Sequence, residues 1–298
     1  MNKRPCSHLG ILLAILSSLI ASPHASGESK APTPQHQWRL GISGWGFHRF
    51  TLFEALEKCQ GLGIPYYDGI SFQKVSRDID RPFDANLGAE ELEKVKAKVR
   101  ATGVQIPVLY YAKMPTTDEA CQQVFEFGKS MGIQTFISEP APESLDLLEQ
   151  YCNEYQINLA LHNHGPDQTP HYWHPEKVLE HCKERGPRIG VCPDTGYWMR
   201  AGIDPIAGIN LLGNRILTIQ LHDLNERTPE GHDVPWGTGV GQIAEVLKAI
   251  HRLKLAPTLI GLEYSYAFEN NLPAMVQSAR YFKDQQKALF PRAGSSEK

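Results

Sequence analysis

The chain has 298 residues, of which 41% are apolar and 21% are charged, and its formal net charge is −3. This composition is typical of a soluble globular protein, and the length suits one large barrel or two ordinary domains. The negative charge argues against a nucleic-acid partner, because binding to DNA or RNA requires clustered Lys and Arg side chains.

The N-terminal segment has the features of a secretory signal peptide. Lys3 and Arg4 precede an apolar stretch from Leu9 to Ile20, and a run of small residues follows it. About 12 apolar residues are too few to cross a bilayer. We therefore predict a signal peptide at residues 1–27 and a leader at 28–37. The mature protein is predicted to be exported, periplasmic or extracellular, and to have no membrane span.

The mature chain would carry 28 basic and 33 acidic residues, a net charge of about −5. Five cysteines remain after cleavage, and none of them forms a C-x-x-C pair. We predict that they are mostly buried and behave as small apolar side chains, although export would permit a disulfide. They are Cys59, Cys121, Cys152, Cys182 and Cys192.

After the leader, the chain repeats one pattern: an amphipathic helix, a Gly or Pro break, and a short apolar strand. The eight predicted strands lie in WRLGISGW, GLGIPYYDGI, ATGVQIPVLYY, MGIQTFIS, YQINLALH, GPRIGVCP, NRILTIQLH and LAPTLIGLE. Runs of this length between polar flanks indicate strands of a parallel sheet that helices cover on both faces.

Helical spacing of apolar residues occurs between these strands, at i, i+3 and i+7 or at i, i+3, i+4 and i+7. Thr116 or Thr117 supplies an N-cap for the third helix. Eight alternations over residues 38–290, followed by a tail at 291–298, predict a single (β/α)8 TIM barrel of the α/β class. An open doubly wound sheet is less favoured, because no G-x-G-x-x-G follows the first strand. The apolar positions are Leu92, Val95, Val99, Ile243, Val246, Leu247 and Ile250.

Polar side chains end five of the predicted strands. The C-terminal ends of the strands form the catalytic face of a (β/α)8 barrel. Buried carboxylates at that face need a counter-charge, most simply a divalent cation. The strand-end residues are Glu139, His162, His164, Asp194, Gln220, His222, Asp223 and Glu263.

Several of these residues also have a purely structural interpretation. Asp194 can cap the turn that follows it, and Glu139 can cap a helix that starts near Pro142. His162 and His164 can hold loop carbonyl groups. The grouping of these residues at strand ends favours a site over these alternatives.

The segment after the seventh strand, NERTPEGHDVPWGTGVG, is long and rich in glycine. Loops of this length often act as lids or binding elements. His232, Asp233 and Trp236 are therefore secondary site candidates. The alternative is turn chemistry at Gly237 and Gly239.

Taken together, the motifs HNHGP, VCPDTGYWMRAG, QLHD, DVPWGTGVG and GLEY resemble the xylose isomerase-like TIM barrels of the sugar phosphate isomerase/epimerase superfamily. The resemblance covers residues 38–290. It implies a divalent metal, Mn, Mg, Co or Zn, held by one residue from each of strands five to eight. Residue by residue, the implied ligands are His162, Asp194, Gln220 and Glu263.

The resemblance has clear departures at this implied site. His162 stands where the family has Glu, and Gln220 and His222 stand where the family has His and Lys. Tyr197 stands where His is frequent. An imidazole carries less negative charge than a carboxylate, and an amide oxygen is a weaker ligand than an imidazole. The sequence therefore predicts weaker metal binding than in the family, unless Glu139 or His222 joins the ligands.

The resemblance implies a metal-dependent sugar isomerase or epimerase that removes a proton next to a carbonyl group. Glu263 is the expected base, and His164 or Glu139 is the second acid/base group. An unphosphorylated sugar is favoured, because Arg200 is the only evident cation near the site. The residues expected to contact substrate are Tyr197, Arg200, Asp233 and Trp236.

Other functions are compatible with the same residues. A lyase or hydratase on a keto sugar or sugar acid needs one base and one acid, which Glu263 with His222 or His164 would provide. A carbohydrate-binding barrel without catalysis is consistent with Gln220 and Tyr197. An abasic-site endonuclease shares the barrel, but the acidic charge and the export signal argue against it. The sequence does not identify the sugar, the metal or the oligomeric state.

Overall fold

The computed structural model describes residues 37–291. The predicted signal peptide at 1–27, all but the last residue of the leader at 28–37, and all but the first residue of the tail at 291–298 lie outside these residues. In the described part of the chain, no helix is long and apolar enough to cross a membrane.

Strands and helices alternate along the described residues in the predicted order. The strands are β1 Leu40–Ser43, β2 Tyr66–Ile70, β3 Gln105–Tyr110, β4 Thr135–Ser138, β5 Asn158–His162, β6 Ile189–Cys192, β7 Ile219–Leu221 and β8 Ile260–Leu262. The helices are α1 Leu52–Gly61, α2 Ala89–Thr102, α3 Asp118–Met131, α4 Leu145–Tyr155, α5 Pro175–Cys182, α6 Thr195–Arg200, α7 Pro205–Leu212, α8 Ile243–Arg252 and α9 Leu272–Leu289. Short 3-10 turns occupy Gly44–Phe47, Pro142–Ser144 and Gly213–Arg215.

The eight strands are all parallel, and each pairs with its sequence neighbour except at one junction. The pairing runs β6-β5-β4-β3-β2-β1-β8-β7. Between β6 and β7 the barrel is closed by two isolated parallel bridges, Val191 with Ile216 and Asp194 with Gln220. The (β/α)8 prediction is confirmed, with the seam of the barrel beside Asp194.

The predicted helical positions lie in α2 and α8. Thr117 is the N-cap residue of α3, as expected from its position, but its side chain makes no capping hydrogen bond. Glu139 does not cap the 3-10 turn at Pro142, because its carboxylate binds His162 and Tyr110 instead.

Two apolar layers enclose the strands. The larger lies between sheet and helices, and the smaller fills the barrel with Val108, Ile137, Ala160, Cys192 and Leu259. Side chains alternate along a strand, so the residues two positions beyond Ile137, Ala160, Cys192 and Leu259 also point into the barrel. In that order, these residues are Glu139, His162, Asp194 and Gly261. Three polar side chains therefore lie directly above the apolar interior of the barrel. All five cysteines of the described part are buried and unpaired, as predicted.

Candidate metal centre

Four polar side chains from consecutive strands converge inside the C-terminal end of the barrel. His222 Nε2 lies 3.3 Å from Asp194 Oδ2 and 3.7 Å from Glu263 Oε1. His162 Nε2 lies 3.8 Å from the same Asp194 oxygen. All four residues are buried. Two imidazole nitrogens and two carboxylate oxygens thus face one another around a single point.

A carboxylate orients each of the two imidazoles from behind. His162 Nδ1 lies 2.5 Å from Glu139 Oε1, and His222 Nδ1 lies 2.6 Å from Asp233 Oδ1. An ionised carboxylate only accepts hydrogen bonds, so each Nδ1 carries the proton. When the ring is neutral, which is the form that binds a metal, the unprotonated Nε2 points at the carboxylates of the cluster. Carboxylate–histidine pairs of this kind are the usual support of histidine metal ligands.

The electric field at this point favours a positive charge. Burial alone would lower the pKa of His162, but the carboxylates of Asp194 and Glu139 outweigh burial and raise that pKa to about 10. The pKa of His222 is raised in the same way by Asp194 and Asp233. Burial would raise the pKa of Asp194, but the two histidines hold it well below its usual range.

A divalent cation fits these residues. Nε2 of His162 and Nε2 of His222 are both buried and have no hydrogen-bond partner among the described residues. Such unpaired buried nitrogens are costly unless another group satisfies them. Mixed imidazole and carboxylate ligands suit Zn, Mn or Co. Ligand atoms of Asp194, His222 and Glu263 lie close enough together to reach a common ion. His162 groups with Glu139 and His164 through the other side of its ring, but its Nε2 lies 3.8 Å from Asp194 Oδ2 and would complete the set.

Asp194 is fixed by hydrogen bonds to α6 and to Asn163. Its Oδ1 accepts the backbone N–H of Tyr197 and caps α6, so the structural interpretation and the site role both apply to it. The side chain of Asn163 binds the backbone N–H and C=O of Asp194. The central residue of the HNH motif thus fixes the end of β6, and Oδ2 of Asp194 is left for the cluster.

His222 is positioned by the residue pair that follows Asp194. The Thr195 hydroxyl accepts the backbone N–H of His222 at 2.9 Å. A Cβ atom on Gly196 would lie 2.7 Å from Cγ of His222, so only glycine permits this close approach of α6 to the ring.

The loop after β7 folds back so that Asp233 contacts His222. The Asp223 carboxylate accepts the backbone N–H groups of Gly237, Gly239 and Gly241 at 2.7–3.0 Å. Asp233 also accepts the backbone N–H of Ser265. Asp223 therefore holds the loop, and Asp233 is buried behind His222 rather than in the cavity where substrate contact was predicted.

The structure gives Gln220 a different place from the predicted ligand position. Its Nε2 donates to Asp68 Oδ2 at 2.9 Å and to Ser43 Oγ at 3.0 Å. Ser43 in turn donates to Glu263 Oε2 at 2.7 Å. Gln220 thus supports Glu263 through Ser43, and His222, two residues later, is the residue whose Nε2 faces the Asp194 and Glu263 carboxylates. Burial raises the pKa of Asp68 to about 7, against the hydrogen bond from Gln220.

A cavity of about 590 Å3 opens above the cluster. His164, Tyr197 and Arg200 line it, as expected for residues that contact substrate or transfer protons. His164 Nδ1 lies 3.2 Å from Glu139 Oε1, so Glu139 serves both histidines of the HNH motif from behind. Trp236 does not reach the cavity, because its ring lies buried in the core against Phe282.

Sequence reasoning missed several residues of the site. Asp68 is a charged residue within the buried run YYDGI, which is itself a signal, whereas Ser43 carries no signal in the sequence. The aromatic residues that line the other side of the cavity were also missed, because aromatic residues are equally common in cores. These are Trp45, Phe72 and Tyr110.

A family model described as xylose isomerase-like TIM barrel matches residues 56–285. Among solved structures, an uncharacterised protein from Parabacteroides distasonis is 27% identical, with a TM-score of 0.67 over 84% of this chain and 99% of that one. A D-tagatose 3-epimerase-like protein is 15% identical, with a TM-score of 0.64 over 84% and 98%. An IOLI protein with a bound zinc atom is 14% identical, with a TM-score of 0.63 over 85% and 99%. No curated protein matches significantly.

Proposed function

Because this chain belongs to the xylose isomerase-like TIM barrel family, we propose that it is a metal-dependent isomerase or epimerase that moves a proton next to the carbonyl group of a sugar. One observation carries the proposal. His162, Asp194, His222 and Glu263 present two unpaired imidazole nitrogens and two carboxylate oxygens to one point below an open cavity. The D-tagatose 3-epimerase-like neighbour and the zinc-bound neighbour support the sugar chemistry and the metal.

The four residues of the cluster would hold the cation. When bound, it supplies a Lewis acid that polarises a carbonyl oxygen, an effect worth several kcal/mol. The cluster lies at the seam of the barrel, where the Asp194–Gln220 bridge connects the ends of β6 and β7.

Proton transfer falls to the chain's own residues on the cavity wall. Glu263 lines the cavity, and its Oε2 is fixed by the Ser43 hydroxyl. His164 lines the cavity with its side chain 26% exposed. The Glu139 carboxylate favours a proton on His164 Nδ1 and leaves Nε2 as an acceptor. Glu263 is therefore the proposed base, and His164 is the second acid/base group.

The substrate is proposed to be an uncharged sugar. Arg200 is the only Lys or Arg among the cavity-lining residues of the described chain. Its guanidinium already donates to the Gly231 carbonyl and lies 3.8 Å from the Asp233 carboxylate. A phosphate group would have to compete with these partners.

A lyase acting on a keto sugar or sugar acid is the second candidate. Among the described residues that line the cavity, Asp194 and Glu263 are the only carboxylates, because the strand-five position holds His162. Epimerisation by two bases needs an acceptor on each face of the carbon, whereas elimination needs one base and one acid. His164 as an acid and Glu263 as a base would meet the second requirement.

Metal content is the first test of the proposal. The mature protein, purified without a chelating tag, is analysed for Mn, Co and Zn together with His222→Ala, Asp194→Ala and the control Gln220→Leu. We expect one metal ion per chain in the wild type and in Gln220→Leu, and loss in the other two variants. Loss of the metal from Gln220→Leu, with metal still bound in His222→Ala, would show that Gln220 is the ligand, as the sequence predicts, and that His222 is not. Absence of metal from the wild type after soaking would refute the metal-dependent mechanism.

The reaction class is tested by incubating the metal-loaded protein with a panel of ketoses and aldoses in D2O. Deuterium at the carbon next to the carbonyl, followed by NMR, is expected for an isomerase or epimerase. Loss of water without deuterium in recovered substrate is the result for a lyase. Glu263→Gln is expected to lower either rate by at least about 100-fold, in the range for removal of a general base.

Export is proposed on the charge, length and flanks of residues 1–27. The N-terminus of the protein recovered from a periplasmic or extracellular fraction tests it. We expect a start near Glu28 and none at Met1.

A further inference from the structure

Three aromatic side chains form a strip along one side of the cavity. Tyr110, Phe72 and Trp45, called the aromatic strip below, follow or end β3, β2 and β1. The ring centroids of Tyr110 and Phe72 are 6.3 Å apart, and those of Phe72 and Trp45 are 6.4 Å apart. The strip begins beside the metal cluster, because the Tyr110 ring lies 5.7 Å from the His162 ring.

The outer end of the strip is exposed to solvent, and the Trp45 ring there is packed against His48. Trp45 is 42% exposed and Phe72 is 49% exposed, which places them among the few large apolar side chains on the described surface. One face of the Trp45 ring is covered by the His48 ring at 4.2 Å, with an angle of 11° between the planes. His48 is itself fixed by the Trp45 carbonyl and by the Phe268 ring. Solvent exposure of aromatic rings in a fixed arrangement at a cavity mouth marks a binding surface.

The opposite side of the cavity is polar. His164, Tyr197 and Arg200 lie on that side with the cluster residues, which come from β5 to β8. The part of a ligand at the bottom of the cavity therefore contacts the polar cluster, and the part nearer the mouth contacts aromatic rings. The C–H groups on one face of a pyranose ring carry partial positive charge and pack on the negative face of an aromatic ring.

We propose that the aromatic strip is a subsite for a second sugar ring, so that the substrate is a disaccharide rather than a free monosaccharide. The first ring is then the reducing end, which opens to the carbonyl form that the proposed reaction needs. This inference rests on the proposed sugar chemistry at the cluster. The first ring would face Glu263 and His164, and the second would pack on Phe72 and Trp45. A cavity of about 590 Å3 has room for two rings, and outside the cluster Arg200 is the only Lys, Arg, Asp or Glu among its lining residues in the described chain, which fits an uncharged disaccharide.

Equilibrium binding tests the subsite without requiring turnover. Calorimetric titrations of the metal-loaded protein use glucose, the disaccharides cellobiose, maltose and lactose, which all have glucose as their reducing end, and phenyl glucoside. We expect at least one disaccharide to bind about tenfold more tightly than glucose. Trp45→Ala and Phe72→Ala should each reduce that ratio about tenfold, and Trp45→Phe should retain most of it. Leu211→Ala, a change of an exposed apolar residue on α7, should leave the ratio unchanged.

Equal affinity for the three disaccharides and glucose would overturn the inference. So would a preference that appears only with phenyl glucoside, because the strip would then bind an aromatic group. A normal ratio in both alanine variants, with melting temperatures close to that of the wild type, would also overturn it. Disaccharide binding through the strip without any proton exchange in D2O would leave the subsite standing and refute the proposed reaction.

Discussion

His162 and His222 face the same point, but the carboxylates that orient them come from different kinds of structure. Glu139 follows β4, which pairs directly with β5, so the order of the strands places it behind His162. Asp233 lies in the loop between β7 and α8, and that loop must fold back through the Leu224–Asp233 bridge to reach His222. One support is set by the barrel, and the other depends on a loop.

The two carboxylates also differ in how easily a water molecule could take their place. The Glu139 side chain is 14% exposed and binds His162, His164 and the Tyr110 hydroxyl. The Asp233 side chain is 1% exposed, and it also accepts the backbone N–H of Ser265. Water can reach the place of Glu139 more easily than the place of Asp233. The loop-borne support should therefore matter more to the metal, although the barrel-borne one is easier to predict.

The largest expected difference follows from removing each support in turn. Asp233→Ala should lower the affinity for Zn or Mn about 100-fold, and Glu139→Ala about tenfold, the two ends of the usual range for such supports. The larger loss arises because His222 Nδ1 and the Ser265 N–H both lose a buried partner. Competition with a chromogenic chelator measures both affinities.

Glu230→Ala is the matched control, because Glu230 is an exposed carboxylate in the same loop. Its metal affinity should equal that of the wild type. A loss in Glu139→Ala equal to or greater than that in Asp233→Ala would contradict the comparison.

The same contrast explains which parts of the site the sequence revealed. Strand-end residues such as His162, Asp194 and Glu263 were predicted because parallel strands of a barrel bring their ends together. The sequence predicted Gln220 as a ligand. Gln220 and His222 are two residues apart and point to the same side of the strand, so their spacing alone does not show which of them lies at the level of the cluster. The roles of Asp233 and Ser43 depend on loop folding and on hydrogen bonds between distant residues, which no local pattern encodes.

Weakening the loop that carries Asp233, without changing Asp233 itself, should lower metal affinity by a smaller factor. Asp223→Ala removes the acceptor of three backbone N–H groups, so the loop of residues 224–241 should open more often. We expect metal affinity to fall about fivefold, with faster proteolytic cleavage within 224–241. Cleavage sites are mapped by mass spectrometry with and without metal.

Thr51→Ala is the control for a general loss of stability, because Thr51 caps α1 far along the chain from this loop. It should cost about 1 kcal/mol of unfolding free energy and leave the cleavage of 224–241 unchanged. Equal cleavage in the two variants would mean that Asp223 does not anchor the loop.

The smallest change in metal affinity is expected for Ser43, which binds the Glu263 oxygen that faces away from the cluster. Ser43 binds Oε2 of Glu263, whereas the oxygen that faces His222 is Oε1. Ser43→Ala should therefore change metal affinity by less than about threefold, because the Glu263 carboxylate keeps its charge and its place directly after β8. The free energy of unfolding should fall by about 1 kcal/mol, since Gln220 and Glu263 each lose a buried hydrogen bond. Chemical denaturation and chelator competition on one preparation separate the two effects. A metal loss as large as that of Glu139→Ala would show that Glu263, like the two histidines, depends on a second residue to be a ligand.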